Sequence, residues 1–232
     1  MNEIVERSDE AARIQRRDFM RLAGLGGAAV ALAACGVDPT RATQAAVPAA
    51  SAAAATPGSV TYDFSNDIGV LNFAYAMELL GQSFYSLVTS NAQFTTIFPA
   101  NEQIVFADLL GHETAHRDFF TTALASAGIV VTPNWSAVNF ASRADILAHA
   151  ITLENTCVAA LNGGGMYLHN PVFLGVAGKL VSVEARQAST LLDIQGGAGR
   201  SGAFAPSIFD PADTPQQVIS IVQPFVQQTL HA

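Results

Sequence analysis

Charged residues are scarce in this sequence, and basic residues are the scarcest. Charged residues make up 13% of the 232 residues, whereas soluble domains average about 25%. Beyond Cys35, six Lys or Arg residues stand against fourteen Asp or Glu residues. So few cations cannot form a surface that neutralises a phosphate backbone. The composition therefore excludes nucleic acid as a partner.

Cysteines and long apolar runs are also few. The chain has two cysteines, and no stretch reaches the roughly 18 consecutive apolar residues that a permanent membrane span needs. Cys157 lies within an apolar segment with helical spacing. That position predicts a small core residue rather than a reactive thiol.

The N-terminal region has the features of an export signal. Arg16 and Arg17 lie in the run Gln-Arg-Arg-Asp-Phe-Met-Arg, which resembles the twin-arginine motif recognised by an export machinery for folded proteins. The thirteen residues 22–34 that follow are apolar and rich in Gly and Ala, a length typical of a signal peptide and too short for a span. The run Leu-Ala-Ala-Cys, ending at Cys35, resembles a lipoprotein cleavage box in which the cysteine is acylated.

These features divide the chain into three parts. The predicted parts are a signal peptide, a flexible Ala/Pro-rich linker and a folded domain, at residues 1–35, 36–62 and 63–232. We expect the domain to lie in the periplasm or cell envelope, held to a membrane by a lipid on Cys35, which leaves Cys157 without a disulfide partner. Two alternatives stay open: an N-terminal structural helix, and cleavage within residues 49–55 that releases a soluble protein.

Four long segments with helical spacing of apolar residues predict an all-α domain. They are expected at residues 67–89, 101–127, 142–165 and 170–196. Asn101 is the predicted N-cap of the second helix, and Ser142 with Asp145 has the spacing of a capping box. The link at residues 128–141 is long enough to span about 45 Å, the full length of such a bundle. A four-helix bundle with a long central crossover is therefore predicted, followed by a loop and a short helix near residues 218–230.

The glutamates beyond Cys35 are placed unevenly. Glu102 falls in the first turn of the second helix, where a carboxylate favours the helix dipole. The other four fall one per predicted helix, each on an apolar stripe that should face the core: Glu78, Glu113, Glu154 and Glu184. Buried carboxylates are unfavourable and repel one another, and Arg117 is the one candidate internal partner, for Glu113. Two divalent cations would balance four carboxylates; protonation and a metal-free polar network are the alternatives.

A second donor on the same helix strengthens the case for a metal. Glu113 and His116 form a Glu-x-x-His pattern, which places a carboxylate and an imidazole on one helix face. The order of these motifs resembles the ferritin-like superfamily of di-iron and di-manganese carboxylate proteins. The segments around Glu113 and Glu184 resemble its bacterial ferritin-like domain family, which includes desiccation-related proteins. The resemblance covers about residues 65–230.

The resemblance implies a divalent metal, iron or manganese, with one or two ions per chain. Glu78, Glu113 and His116 would bind one ion, while Glu154 and Glu184 would bind the other, with Glu113 and Glu184 able to bridge. A homodimer is compatible with these features. The remaining partners expected are the twin-arginine export machinery and, through the lipid anchor, a membrane.

Gln187 departs from the family pattern, which has His at this position. An amide oxygen is a weaker and harder ligand than imidazole. We therefore expect either one occupied site or an asymmetric pair in which Gln187 is a weak ligand and manganese is tolerated better than redox-cycling iron. His112 is about 100° around the helix from Glu113 and is expected at the rim or surface.

Two functions remain open. The first is a metal-dependent oxidoreductase, ferroxidase-like or peroxide-scavenging, acting on O₂ or peroxide in stress protection. The second is a non-enzymatic envelope lipoprotein whose degenerate site serves stability or partner binding. Iron storage in a shell fits poorly, because a lipid tether and a flexible arm would hinder closure of a cage.

Overall fold

The described part of the chain is helical. The computed structural model describes residues 58–196 and 204–232. The predicted signal peptide, with Arg16, Arg17 and Cys35, lies outside these residues, as does most of the predicted linker. Among the described residues, no helix has the length and apolarity needed to cross a membrane.

Four long helices form the bundle that the periodicity predicts. Their bounds are Asp67–Ser90 (α1), Ala100–Leu124 (α2), Arg143–Gly165 (α3) and Pro171–Gly196 (α4). Shorter elements follow or connect them: a helical turn Phe94–Ile97, a 3₁₀ turn Ala125–Ala127, helix α5 at Pro215–Val222 and a 3₁₀ turn Gln223–Phe225. The all-α fold class is confirmed.

Contacts near the helix ends fix the direction of the helices. Asn72, near the start of α1, donates to the carbonyl of Ala127 beyond the end of α2, at 3.0 Å, so α1 and α2 are antiparallel. Arg143, at the start of α3, donates to the carbonyl of Ile194 near the end of α4, at 3.4 Å. Arg143 also pairs with Glu102 at the start of α2, at 2.6 Å. The connection from α2 to α3 therefore returns along the whole bundle, as predicted for a central crossover.

Aromatic packing holds this crossover against the bundle. The Trp135 ring lies 5.3 Å from Phe84 of α1 and 5.5 Å from Phe225 near the C-terminus, measured between centroids. The Trp135 indole N–H donates to the Ser83 hydroxyl at 3.0 Å. These contacts fix the crossover to α1 and to the C-terminal segment although residues 128–141 form no helix.

The helix ends follow the predicted capping chemistry only in part. Ser142 caps α3 by accepting from the Asp145 amide, although the Asp145 carboxylate accepts from the Asn139 amide instead of closing the box. The predicted cap at Asn101 is wrong, because α2 begins one residue earlier and Pro99 is its N-cap. The Pro99 carbonyl accepts from the amides of Glu102 and Gln103, and proline at this boundary loses no hydrogen bond.

The two ends of the domain meet in a small parallel sheet. Strand β1 (Ser59–Thr61) pairs with strand β2 (Thr229–His231), with Val60 beside Leu230. Residues 59–61 were assigned to the linker from their sequence, so that boundary is corrected, and the C-terminal helix ends at Val222 instead of reaching residue 230. Pro224 has no amide hydrogen to continue the helix, and the remaining residues extend to pair with β1.

Candidate metal centre

The four glutamates predicted to face the core are buried. Their exposed fractions are 0% for Glu78, 2% for Glu113, 2% for Glu154 and 0% for Glu184. Each lies near the middle of one bundle helix, on the stripe that packs against the other three. The apolar spacing therefore placed all four carboxylates correctly in the interior.

One residue from α1, two from α2 and one from α4 form a compact cluster. Glu78, Glu113, His116 and Glu184 each offer a ligand atom, and these atoms all lie within 4.8 Å of one another. The His116 Nδ1 atom is 2.8 Å from a Glu184 oxygen and 3.3 Å from a Glu78 oxygen. Among the described residues, these same three atoms are buried and have no partner in hydrogen-bond geometry. They are close together, but they do not satisfy one another.

These separations suit a metal ion. Ligand bonds of about 2.1 Å place neighbouring ligand atoms about 3.0–3.4 Å apart for angles between 90° and tetrahedral. The spacings of 2.8 and 3.3 Å around His116 fall near this range. Carboxylate and imidazole donors together suit iron, manganese and zinc. The orphaned buried atoms, the spacing and the donor set all fit a divalent cation.

The electrostatics of the cluster are unfavourable without a cation. Burial, then the charge of Glu184, raises the pKa of Glu78 to about 7 despite the opposing effect of His116. Burial and the neighbouring carboxylates raise the pKa of Glu113 well above its usual value. Burial alone would lower the pKa of His116, but the adjacent carboxylates of Glu184 and Glu78 outweigh it and raise the pKa to about 10. The metal-free cluster therefore retains protons that a metal would displace.

A glycine on α1 makes room for the Glu113 carboxylate. A Cβ atom at Gly81 would overlap Glu113 Oε2, with the carboxyl carbon 3.0 Å away. Glu113 thus lies directly against the α1 backbone. This contact is not predictable from the sequence, because an isolated glycine within a helical pattern does not reveal which side chain approaches it.

Glu154 lies beside the cluster. The Tyr85 hydroxyl, fully buried on α1, donates to one Glu154 oxygen. The other Glu154 oxygen is 3.5 Å from the amide nitrogen of Gln187. Burial and the charge of Glu184 raise the pKa of Glu154 well above its usual value. The family resemblance implies that Glu154 and Glu184 bind a second ion together. In the structure, Glu184 lies within the His116 cluster and Glu154 lies beside it.

Gln187 is buried among the carboxylates of Glu113, Glu154 and Glu184. Its exposed fraction is 4%, and its Nε2 atom donates to Glu113 and Glu184 at 3.0 Å each. Its Oε1 atom is 3.1 Å from Nδ1 of His112. His112 is exposed, as expected, yet it contacts Gln187. This contact is not predictable from the sequence, because the position of His112 around α2 says nothing about which α4 residue packs beside it.

A surface cavity leads to Gln187 from outside. It has a volume of about 190 Å³ and lies between α2 and α4, with Asp108, His112, Arg186 and Gln187 among its lining residues.

The predicted pairing of Arg117 with Glu113 is wrong: the Arg117 guanidinium binds Asp118 at 2.6 Å. Asp118 is exposed, so Arg117 pairs with it while its guanidinium stays in contact with water.

Cys157 is the small core residue that its position predicts. It is a free thiol with 6% exposure, and its sulfur lies 4.0 Å from a Glu78 oxygen. Burial and the nearby carboxylates raise the pKa of this thiol well above its usual value. Cys157 therefore stays protonated and acts as a weak donor to Glu78.

The family comparison agrees with this geometry. A family model described as a ferritin-like domain matches residues 66–197, more than half of the chain. The chain belongs to the ferritin-like family. No curated protein matches it in sequence. The match covers all four bundle helices, and the ferritin-like bundle places its metal ligands where this cluster lies. This chain departs from the ferritin-like ligand pattern at Gln187.

Proposed function

We propose that this ferritin-like protein binds a divalent transition metal in the bundle core and acts on O₂ or peroxide in the cell envelope. The observation that carries the proposal is the convergence of Glu78 Oε2, His116 Nδ1 and Glu184 Oε1, which are buried, lie about as far apart as neighbouring ligands, and have no hydrogen-bond partner in the described chain. The three carboxylates of this cluster, Glu78, Glu113 and Glu184, repel one another unless protons or a cation offset their charge.

The chain's own residues divide the work. Glu78, Glu113, His116 and Glu184 would hold the ion, and iron or manganese there would supply redox chemistry or Lewis acidity. Tyr85 orients Glu154 and keeps a proton next to the cluster. The surrounding apolar side chains exclude water, except towards the cavity between α2 and α4.

The location is part of the proposal. Arg16 and Arg17 resemble a twin-arginine signal and Cys35 resembles a lipidation site, so the domain would be exported folded and held on a membrane by its tether. Mass spectrometry of the mature N-terminus tests this: a lipid on Cys35 is expected. An unmodified chain that begins at Met1 would refute both export and anchoring.

A second candidate function is a non-enzymatic envelope protein that uses the metal for stability. The position of Gln187 among the carboxylates favours this structural function, because a neutral amide stands where a stronger metal ligand would otherwise lie. Anaerobic loading with Fe(II) followed by air distinguishes the two. Rapid oxidation of the iron, or rapid consumption of peroxide, supports the redox function, whereas stable Fe(II) supports the structural one.

Metal binding itself is tested by a matched pair of substitutions on α2. Glu113→Gln removes a charge from the cluster, while Glu102→Gln makes the same change at the ion pair with Arg143. Calorimetric titration with Mn(II) should show binding lost or weakened by at least tenfold in the first variant and kept in the second. A ligand that binds only the native state at 100 times its Kd adds about 2.7 kcal/mol of stability, so chelator should lower the unfolding temperature of the control variant. Equal Mn(II) affinity in both variants would refute the site.

A further inference from the structure

The Gln187 amide group lies where three carboxylates meet. Its Nε2 atom is 3.0 Å from Glu113 Oε1, 3.0 Å from Glu184 Oε2 and 3.5 Å from Glu154 Oε2. These oxygens come from α2, α4 and α3 respectively. One nitrogen therefore contacts an oxygen from each of the carboxylates that could share a second ion.

The chemistry of the surroundings fixes the direction of the amide. The NH₂ end faces Glu113 and Glu184, whose oxygens accept its two hydrogens at 3.0 Å each. The carbonyl end, Oε1, faces Nδ1 of His112 at 3.1 Å. In its Nδ1–H tautomer His112 donates to that carbonyl and holds the amide from the side of the cavity. Reversal would place the amide carbonyl against the oxygens of Glu113 and Glu184, which costs the amide the two hydrogen bonds it donates there.

The same contacts exclude a second ion from this position. A cation bound to Glu113, Glu154 and Glu184 together would have to lie about 2.1 Å from each oxygen, within the volume that the Gln187 nitrogen occupies. The amide offers two hydrogens to the carboxylates and carries no charge. Its hydrogen bonds satisfy the carboxylate oxygens in place of a metal ion.

We propose that the Gln187 amide permanently replaces the second metal ion, so that the centre holds one ion, bound by Glu78, Glu113, His116 and Glu184. This inference rests on the proposed function, because it presumes that the His116 cluster binds metal. It also narrows that function: reactions in which two adjacent ions share an oxidant are not available to this chain, and its redox chemistry is that of a single ion.

The test is the number of Mn(II) ions bound by the whole purified chain, measured by elemental analysis after gel filtration and by electron paramagnetic resonance. The wild-type chain should bind one Mn(II) and give the spectrum of an isolated ion. Gln187→His and Gln187→Glu each remove the amide and add a ligand, and each should bind two ions with an exchange-coupled spectrum. Gln195→His, at an exposed position on the same helix, should bind one.

The outcomes separate this inference from the proposed function. A wild-type chain without bound Mn(II) refutes the metal site itself. A wild-type chain with two coupled Mn(II) ions leaves the metal site standing and overturns the role of Gln187. A Gln187 variant that unfolds at the wild-type temperature yet binds a single ion also overturns it. If Gln187→His fails to fold, the isosteric Gln187→Glu variant and the wild-type stoichiometry still decide the question.

Discussion

The contact between Gly81 and Glu113 allows metal binding to be separated from folding. In Gly81→Ala, the new methyl group would overlap Glu113 Oε2, and the carboxyl carbon and Cγ of Glu113 would be 3.0 and 3.3 Å away. The obstacle is the far end of a flexible side chain, so we expect the Glu113 carboxylate to swing aside while the two helices keep their packing. That movement removes one of the four ligand groups.

The two effects of this substitution have different sizes. Overpacking costs about 1–3 kcal/mol, whereas alanine in place of glycine within a helix contributes about 0.5–1 kcal/mol. The net loss in the unfolding free energy of the metal-free protein is therefore about 0–2.5 kcal/mol. Disturbing the shell around a metal typically weakens binding about 10- to 100-fold, or about 1.4–2.7 kcal/mol. Metal affinity should suffer at least as much as stability.

Gly111 on α2 supplies the matched control. A Cβ atom there meets nothing within 4 Å, so Gly111→Ala should stabilise the fold slightly and leave metal binding unchanged. Calorimetric titration with Mn(II) gives the affinities, and chemical unfolding in excess chelator gives the stabilities. If Gly81→Ala binds Mn(II) as tightly as Gly111→Ala does, Glu113 is not a ligand in the arrangement described.

Two further predictions concern stability. Without metal, the unfolding temperature should fall as pH rises from 5 to 9, because the folded-state pKa values are raised for Glu78, from 4.5 to about 7, and for His116, from 6.5 to about 10. The stability from each group is complete below its unfolded pKa and is lost as pH rises through its folded pKa; a temperature that rises over this interval in chelator would contradict the assignment. Gly163→Ala should destabilise by more than 1 kcal/mol, because its Cβ would overlap the backbone carbonyl of Asp213, while Gly164→Ala, whose Cβ lies 3.7 Å from the nearest atom, should be neutral or stabilising. Denaturant unfolding of the pair checks this.

The fold could be predicted from sequence because its main signals are local. Helical spacing of apolar residues gave the four helices, and the length of residues 128–141 gave the crossover. The sheet between Ser59–Thr61 and Thr229–His231 could not be predicted, since strands of three residues carry little periodicity and their pairing depends on where distant ends of the chain meet. The cap at Asn101 failed for a local reason: α2 begins one residue earlier, at Ala100, behind Pro99, which takes the N-cap position without a side-chain hydrogen bond.

The burial of the metal cluster could also be predicted from the sequence, but the contacts between its helices could not. A glutamate on an apolar stripe must enter the core, so burial of Glu78, Glu113, Glu154 and Glu184 followed from spacing alone. Spacing within a helix says nothing about the rotation of one helix against another. The contact of Gln187 with His112 and the approach of Glu113 to Gly81 both depend on that rotation. Arg117 was misassigned for a related reason, because a flexible side chain four residues away has several partners within reach.

The protons in the core determine how this domain responds to loss of its metal. Burial raises the pKa values of Glu113 and Glu154 well above their usual range, so both carboxyl groups can stay neutral when no cation is present. Tyr85 and Gln187 supply hydrogen bonds to the same groups. A core with neutral, hydrogen-bonded groups does not need a metal to fold, unlike a zinc finger, whose folding free energy comes from its ion. Metal uptake in this bundle is therefore an exchange of protons for a cation within a formed site, and the released protons should be measurable in weakly buffered solution.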